Sequence, residues 1–341
     1  MGSKGSRVRF GAWLFREQML ALVLGIGVAL VLLYAASGII YLPQVLRSRT
    51  PRSDEFADDW LGYRRVPQFK SLLVSGAVQS TDEWGRRVTV QPPEDEFQTF
   101  AIFGIDSMVY GIGVGDEDTI PSSVAAAISG SNIKVYNYAV GEYDPSNFLA
   151  LMTDPRFPPG VRERSGFVVY FCFDYHVSRV VGWPLLVVPN DPTVRYPRYV
   201  RGADGNLRRD GYLKTVINWP DEAPHWLPFT HHRQIYLTLT QKAEYRRLAA
   251  DVILQTKVEF ERRFESRGFF VVFLYRLPKM QRLLEERGVV CFDYDGILSA
   301  ERCGAEPCLQ PHDVHPTASG NRLIAARLAA DLARVGVVQA R

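Results

Sequence analysis

Cysteine is scarce in this chain. Four occur in 341 residues, Cys172, Cys291, Cys303 and Cys308, and none forms a CxxC pair. That spacing excludes zinc ribbons and thioredoxin-like redox pairs. Cys172 and Cys291 sit in apolar runs and read as inert core thiols. Cys303 and Cys308 flank a short polar loop, which leaves two readings: a small disulfide in an oxidising compartment, or two free thiols. Excess charge of either sign is also missing, with 40 Lys and Arg against 37 Asp and Glu, a net +3. The arginines scatter without forming a basic stripe, so nucleic acid is excluded as a partner. Histidine is rare, six in all. His225, His231 and His232 have no carboxylate or thiol at ligand spacing and read as surface or hydrogen-bonded residues, so neither a metal nor another cofactor is expected. Internal repeats and low-complexity tracts are absent.

Long apolar runs are missing too, except one. Residues 19–42 carry no charged side chain, and about 20 apolar residues suffice to cross a bilayer. A cleaved signal peptide is the rival, with small residues at Ala35-Ala36-Ser37. The run continues through Ile39, Ile40 and Leu42, too long for a signal h-region. The expectation is therefore a basic tail over 1–18, a retained transmembrane helix over 19–42, and a juxtamembrane segment over 43–97 that packs on the main domain. Arg47, Arg49 and Arg52 nearly balance Lys4, Arg7, Arg9 and Arg16, so the flanking charges do not decide orientation. The N-terminal position of the span and the Cys303–Cys308 pair favour an extracytoplasmic domain. Within 43–97, the stretch 82–89 predicts a small hairpin turning at Gly85.

With 47% hydrophobic and 23% charged residues, the remaining chain can build a sizeable core. From residue 98 onward, apolar runs of strand length alternate with helical patterns. Strands are expected at 100–103, 134–139, 167–173, 269–274 and 289–292, and helices at 121–128, 146–152, 241–267, 279–287 and 318–335. Continuous apolar strands alternating with helices predict an α/β fold, a three-layer α/β/α sandwich around a parallel sheet of about five strands, over 98–341. The connection at about 180–236 is far longer than an ordinary βα loop. It is rich in Pro, Arg and Tyr and carries a turn at Ala203-Asp204-Gly205-Asn206. It reads as an insertion over the active-site face, a lid or a substrate platform.

Two constellations carry chemistry. Residues 99–127 read as a buried strand delivering Gly104-Ile105-Asp106-Ser107 into a turn, then Gly111, Gly113 and Gly115, then a helix start at Thr119-Ile120-Pro121. Far downstream, Pro311-His312-Asp313-Val314-His315-Pro316 immediately precedes the last helix. A serine hydroxyl needs a neighbouring imidazole to take its proton, and the imidazole needs a carboxylate to fix its tautomer. In a parallel sheet both segments open onto the carboxyl edge, so their separation in sequence is no obstacle.

These blocks resemble those of the SGNH (GDSL-type) hydrolases. The first supplies a serine nucleophile from an Asp-Ser motif, followed here by Tyr110 to Pro121; the last supplies an Asp-x-His-Pro. The resemblance implies catalysis by Ser107, His315 and Asp313. It also implies an oxyanion hole from the N–H groups of Ser107 and of Gly141, in Ala139-Val140-Gly141-Glu142. Two positions depart from the family. Ile105 stands where a glycine precedes the Asp-Ser pair. The third block, usually Gly-x-Asn-Asp, is Cys172-Phe173-Asp174-Tyr175-His176-Val177-Ser178-Arg179 and has no asparagine. An ionised Asp174 cannot donate, which leaves His176 and Arg179 as substitute donors or clamps on substrate, with Asp106 and Asp174 beside them.

The implied activity is hydrolysis of O-acyl esters, O-acetyl groups foremost, on a cell-surface glycan or a small ester, through an acyl-serine intermediate. Two alternatives stay open: an O-acyltransferase served by membrane-bound polysaccharide machinery, and a degenerate glycan-binding or assembly protein. A second motif, Val289-Val290-Cys291-Phe292-Asp293-Tyr294-Asp295-Gly296, resembles the aspartate-nucleophile motif of haloacid-dehalogenase phosphatases. No lysine follows Lys279, and that chemistry needs one, so the segment reads as a strand end with two loop carboxylates.

Overall fold

The structure is a computed structural model that describes residues 18–29, 31–32, 54–73, 75–93, 96–157, 160–181, 196–213, 228–311 and 313–339, with the backbone alone over 228–242. In chain order the elements are β1 (Glu55–Asp58), β2 (Gly62–Arg65), β3 (Lys70–Leu72), β4 (Val78–Ser80), β5 (Thr99–Gly104), α1 (Ser107–Tyr110) and α2 (Ile120–Ala127). There follow β6 (Ile133–Asn137), α3 (Pro145–Thr153), β7 (Ser165–Phe171), α4 (Asp174–Arg179), β8 (Pro197–Arg201) and β9 (Leu207–Tyr212). The chain ends with α5 (Pro228–Arg263), β10 (Glu265–Phe273), α6 (Pro278–Glu285), β11 (Val290–Asp293), α7 (Ala300–Cys303) and α8 (Ala318–Arg334).

Five strands form one parallel sheet in the order β11-β10-β7-β5-β6. Phe100 to Phe103 in β5 and Phe167 to Phe171 in β7 are all 0% exposed. This explains their unbroken apolar character, since a parallel sheet is covered on both faces. Helix α2 packs on α8 in one layer, and α3, α4 and α6 pack on α5 in the other. The strand order reverses between β5 and β7, and open α/β sheets keep a crevice at that switch point, beyond the carboxyl ends of the strands.

The five expected strands and the helices between them are present, with shifted ends. The clearest shift is at the long helix, which spans Pro228–Arg263, beginning inside the expected insertion at 180–236 and not at 241, and stopping short of 267. Glu265 and Ser266 pair instead with Ser165 and Gly166, and that ladder outweighs the helical propensity of a charged run. The 289–298 motif is the edge strand β11, which ends at Asp293, followed by Asp295; both carboxylates are exposed.

Residues 54–93 brace the domain along its β6 edge. The turn at Gly85 has φ +78°, a conformation suited to glycine. Trp60 Nε1–H donates to Ala150 O at 2.7 Å, the Tyr63 hydroxyl to Gly141 O at 2.6 Å, and the Tyr143 hydroxyl to Tyr63 O at 2.6 Å. Arg87, 1% exposed, reaches through to the loop behind α1. It donates to Val114 O at 2.9 Å and pairs with Asp116 at 3.2 Å.

Of the insertion, the described parts are residues 180 and 181, the β8–β9 hairpin, closed by the turn at 202–206, and by backbone the first residues of α5. The hairpin's Tyr199 and Leu207 pack on Leu149 of α3 and on Leu248 and Val252 of α5, against the helical layer. Tyr196 reaches the sheet's carboxyl edge, where its hydroxyl bonds Glu142 at 3.2 Å. Residues 182–195 and 214–227, with His225, lie outside the described residues, as do the side chains of His231 and His232. Of the expected span at 19–42, residues 18–29 and 31–32 are helical, and the rest is outside the described residues. Among the described residues no helix is long and apolar enough to cross a membrane.

Arg87→Ala would leave the Asp116 carboxylate buried without its counter-charge. The expected cost is about 3 kcal/mol of folding stability, measured as a lower urea midpoint with unchanged slope.

Candidate active site

The site begins where β5 leaves the sheet. A β-carbon at Gly104 would collide with the buried Phe148 ring, so the strand end needs glycine. The next residue, Ile105, is fully buried at φ +122°, in territory that favours glycine. A β-branched residue there carries strain on the order of 1–3 kcal/mol, which the surroundings must hold in place. Part of the restraint is visible: the Val140 N–H donates to Ile105 O at 3.1 Å.

Asp106 caps α1, its Oδ1 accepting from the Met108 N–H at 3.1 Å. Its Oδ2 accepts from the Tyr175 hydroxyl and, at 3.2 Å, from His176 Nε2. The Phe173 N–H points at His176 Nδ1, 3.3 Å away, so the ring proton resides on Nε2, the nitrogen facing Asp106. Burial alone would raise the Asp106 carboxyl, but the His176 and Tyr175 hydrogen bonds and the charge of Arg179 outweigh it and hold it below the usual range. Burial pushes the His176 pKa down, partly offset by Asp106, keeping the ring neutral.

Ser107, half-buried, opens α1, which closes at Gly111 with φ +85°. The second loop comes from the far end of the chain. Cys303 and Cys308 form a disulfide, with Cα atoms 5.6 Å apart, so the first of their two readings holds. Beyond it, the Gln310 N–H donates to His315 O at 2.9 Å and the Asp313 N–H to Gln310 O at 3.1 Å, folding 310–315 into a compact turn. Thr317 caps α8 by accepting from the Gly320 N–H at 3.3 Å. Gln310 also joins the two loops, its Nε2 donating to Ile112 O at 2.6 Å while its side chain lies over Gly113.

In this frame the Ser107 Oγ lies 2.8 Å from His315 Nε2, and His315 Nδ1 lies 2.7 Å from Asp313 Oδ1. The same Asp313 oxygen accepts from the Val314 N–H at 2.6 Å and the His315 N–H at 3.2 Å. Burial of Asp313 would raise its carboxyl, but the hydrogen bonds from His315 and from these backbone groups prevail and hold it low. The arrangement places a proton on Nδ1 and leaves Nε2 free to accept one from the serine. The group is open to solvent, with the Asp313 side chain 38% and the His315 side chain 17% exposed.

Gly141 follows β6 on the same edge, one residue beyond the Val140 contact with Ile105. Among the described residues neither the Ser107 nor the Gly141 N–H has an acceptor, the condition required of oxyanion donors. The third block is placed differently from the expectation. His176 is 0% and Arg179 7% exposed, so neither presents a donor or clamp to substrate. Both face inward because α4 turns them beneath Tyr175. Arg179 lies over the Tyr175 ring at 4.5 Å and donates to Tyr143 O at 3.2 Å. Asp106 is likewise fully buried and touches Ser107's helix, not solvent. Asp174 remains exposed at the start of α4. Sequence reasoning missed Tyr175 and Gln310, which carry no local signal; it also missed Asp144, whose Asp-Pro pair at a helix start was a readable cap.

Asp144 caps α3 with Oδ1 accepting from the Ser146 and Asn147 N–H groups at 2.7 and 3.1 Å, while Oδ2 is buried without a partner. Burial pushes its pKa up to about 6, against those hydrogen bonds and the charge of Arg179. Cys172 is buried and its thiol raised by that burial; Cys291 is pushed up to about 12 for the same reason. Neither acts as a thiolate near neutrality. Among the described residues no cluster of His, Cys, Asp and Glu is placed to hold a metal ion.

No family model matches the chain, and no curated protein matches it. Solved structures do. One is a putative lipolytic protein of the G-D-S-L family from Desulfitobacterium hafniense DCB-2, at 12% identity over 70% of this chain and 99% of that one, with a TM-score of 0.33. A second is a catalytic mutant of Axe2, an acetylxylan esterase from Geobacillus stearothermophilus, at 15% identity over 74% and 100%, TM-score 0.38. A third is TesA, at 9% identity over 70% and 99%, TM-score 0.39. With each TM-score below 0.5, the chemistry is read from this chain's own residues.

Asp144 gives a pH signature. Its folded pKa of about 6 lies above the unfolded carboxylate value, so the native state keeps the proton longer and loses stability as pH rises from about 4 to about 6. The loss attributable to this group is roughly 3 kcal/mol. Denaturation at pH 4, 5, 6 and 7 is expected to show that decline in wild type relative to Asp144→Asn, which retains a capping oxygen without the charge.

Proposed function

We propose that the chain is a serine-dependent esterase of the SGNH type. The observation that carries this is the continuous hydrogen-bonded line from Ser107 Oγ through the His315 ring to Asp313, 2.8 and 2.7 Å at its two links. Ser107 Oγ attacks the ester carbonyl as His315 Nε2 takes its proton. The carbonyl oxygen, now an oxyanion, is met by the Ser107 and Gly141 N–H groups. Collapse breaks the bond to the alkoxy group, which leaves with the proton from His315. Water, deprotonated by the same imidazole, then attacks the acyl-serine and releases the carboxylic acid. Asp313 fixes the Nδ1–H tautomer and stabilises the imidazolium.

The substrate proposed is an O-acyl ester, an O-acetyl group foremost, carried on a glycan. Support comes from the solvent exposure of Asp313 and His315, since an open triad admits an acyl group displayed on a polymer where a deep cavity would not. We place the chain at a membrane through residues 19–42, with the domain on the extracytoplasmic side. Favouring this are the outward apolar side chains of the helical residues 19–29, Leu20, Val23 and Leu24 being 57 to 60% exposed, and the Cys303–Cys308 disulfide. Transfer of the acyl group to a sugar hydroxyl uses the same acyl-serine and differs only in the acceptor. Pairing with membrane-bound polysaccharide machinery belongs to that variant. The intact line of hydrogen bonds disfavours a degenerate binding protein.

Labelling of the full chain with a fluorophosphonate probe tests the reading. Wild type is expected to label, and Ser107→Ala and His315→Ala are not. With p-nitrophenyl acetate, kcat/KM is expected to fall by about 10^4 or more for these two and by on the order of 10^3–10^4 for Asp313→Asn. Wild-type protein that neither labels nor hydrolyses any acetyl ester would refute the enzymatic reading.

A further inference from the structure

Among the described residues, Tyr275 is a large side chain left exposed at the carboxyl edge of the sheet, 39% of its surface reaching solvent. It follows β10, the neighbour of β7, by two residues. Its ring packs against Phe173, centroids 6.2 Å apart. Phe173 stacks on Tyr175 at 5.2 Å with the planes 5° apart, and the Arg179 guanidinium lies over the Tyr175 ring at 4.5 Å. The Tyr175 hydroxyl is bonded to Asp106, the residue before the nucleophile. A row of π systems therefore runs from the nucleophile turn out to solvent. Phe173 and Arg179 are buried and Tyr175 is half-buried, and Tyr275 is held by Phe173.

We propose that Tyr275 is the stacking platform for the sugar ring that carries the ester, on the strand two places along the sheet from the one that delivers Ser107; this rests on the esterase reading above. A pyranose turns a face of C–H groups to an aromatic ring while its hydroxyls stay in water or bond to neighbours. Tyrosine suits that contact because it offers a large amphipathic face with few torsions to freeze. Backing by Phe173 immobilises the ring before substrate arrives, so binding costs less conformational entropy. The polar neighbours a sugar needs stand on the same rim, in the exposed Arg276 and Asp174. An acyl chain is the competing occupant, but the flanking charges disfavour an extended alkyl group.

The test compares Tyr275→Ala, Tyr275→Trp and wild type on acetylated xylo-oligosaccharides, p-nitrophenyl acetate and p-nitrophenyl octanoate. For Tyr275→Ala the expected result is a roughly tenfold rise in KM for the oligosaccharides, kcat within about twofold, and unchanged constants on p-nitrophenyl acetate. Tyr275→Trp should restore the wild-type KM. Calorimetric titration of acetylated xylotetraose into Ser107→Ala and Ser107→Ala/Tyr275→Ala reads the same contact without turnover, with affinity expected to fall about tenfold. Equal losses on the saccharide and on p-nitrophenyl acetate, a KM effect confined to the octanoate, or no change in affinity would each overturn the proposal. Failure of wild type to label with fluorophosphonate is instead a failure of the esterase reading, which the titration separates from the platform.

Discussion

A single buried carboxylate holds the functional end of this molecule in shape. Asp106 takes a backbone N–H from Met108, the hydroxyl of Tyr175 and the ring proton of His176, and none of the four is exposed enough for water to compete fully. Three donors to one desolvated anion form a strong and directional clamp. The clamp is needed because the preceding residue is strained: Ile105 occupies a glycine conformation with a β-branched side chain. Strain of that kind persists only where the surroundings over-determine it. Strand β5 fixes one side of the corner, the Val140 contact a second, and the Asp106 cluster a third.

From that corner the geometry spreads to both loops. Asp106 starts α1 and so orients Ser107. The loop behind α1 is braced from below by Arg87 and Asp116, and from the side by Gln310, which belongs to the histidine loop. One glutamine amide thus sets the spacing between two segments some two hundred residues apart in sequence. The disulfide shortens the approach to that loop, and Thr317 anchors its exit on α8. Rigid placement of this sort lets a hydroxyl and an imidazole meet at hydrogen-bond distance with little reorganisation.

The third block shows a different use of polar residues. His176 and Arg179 stand at a strand end, where polar side chains commonly meet substrate, yet both turn inward. Helix α4 is too short to offer an outer face to each of its polar members. Its phase is set by Val177, 1% exposed, packing into the core. The inward residues support the turn at Ser107, and the outward surface passes to Asp174 and, from the next strand of the sheet, Tyr275.

Much of this was legible in the linear chain. Unbroken apolar runs such as 100–103 and 167–171 require burial on both faces, which makes a parallel sheet, and helices between them dictate the layers. The Asp-Ser and Asp-x-His-Pro segments marked Ser107, His315 and Asp313 as partners because each segment precedes a helix start, and in a parallel sheet such starts share one edge. What the chain could not show is direction: a polar side chain one residue beyond a strand may face water or core, and the choice depends on packing contributed by distant segments. Tertiary structure alone therefore sent His176 under Ser107, placed Gln310 between the loops and left Tyr275 at the rim. Those contacts join residues with no periodic or local relation, and only the folded core brings them within reach.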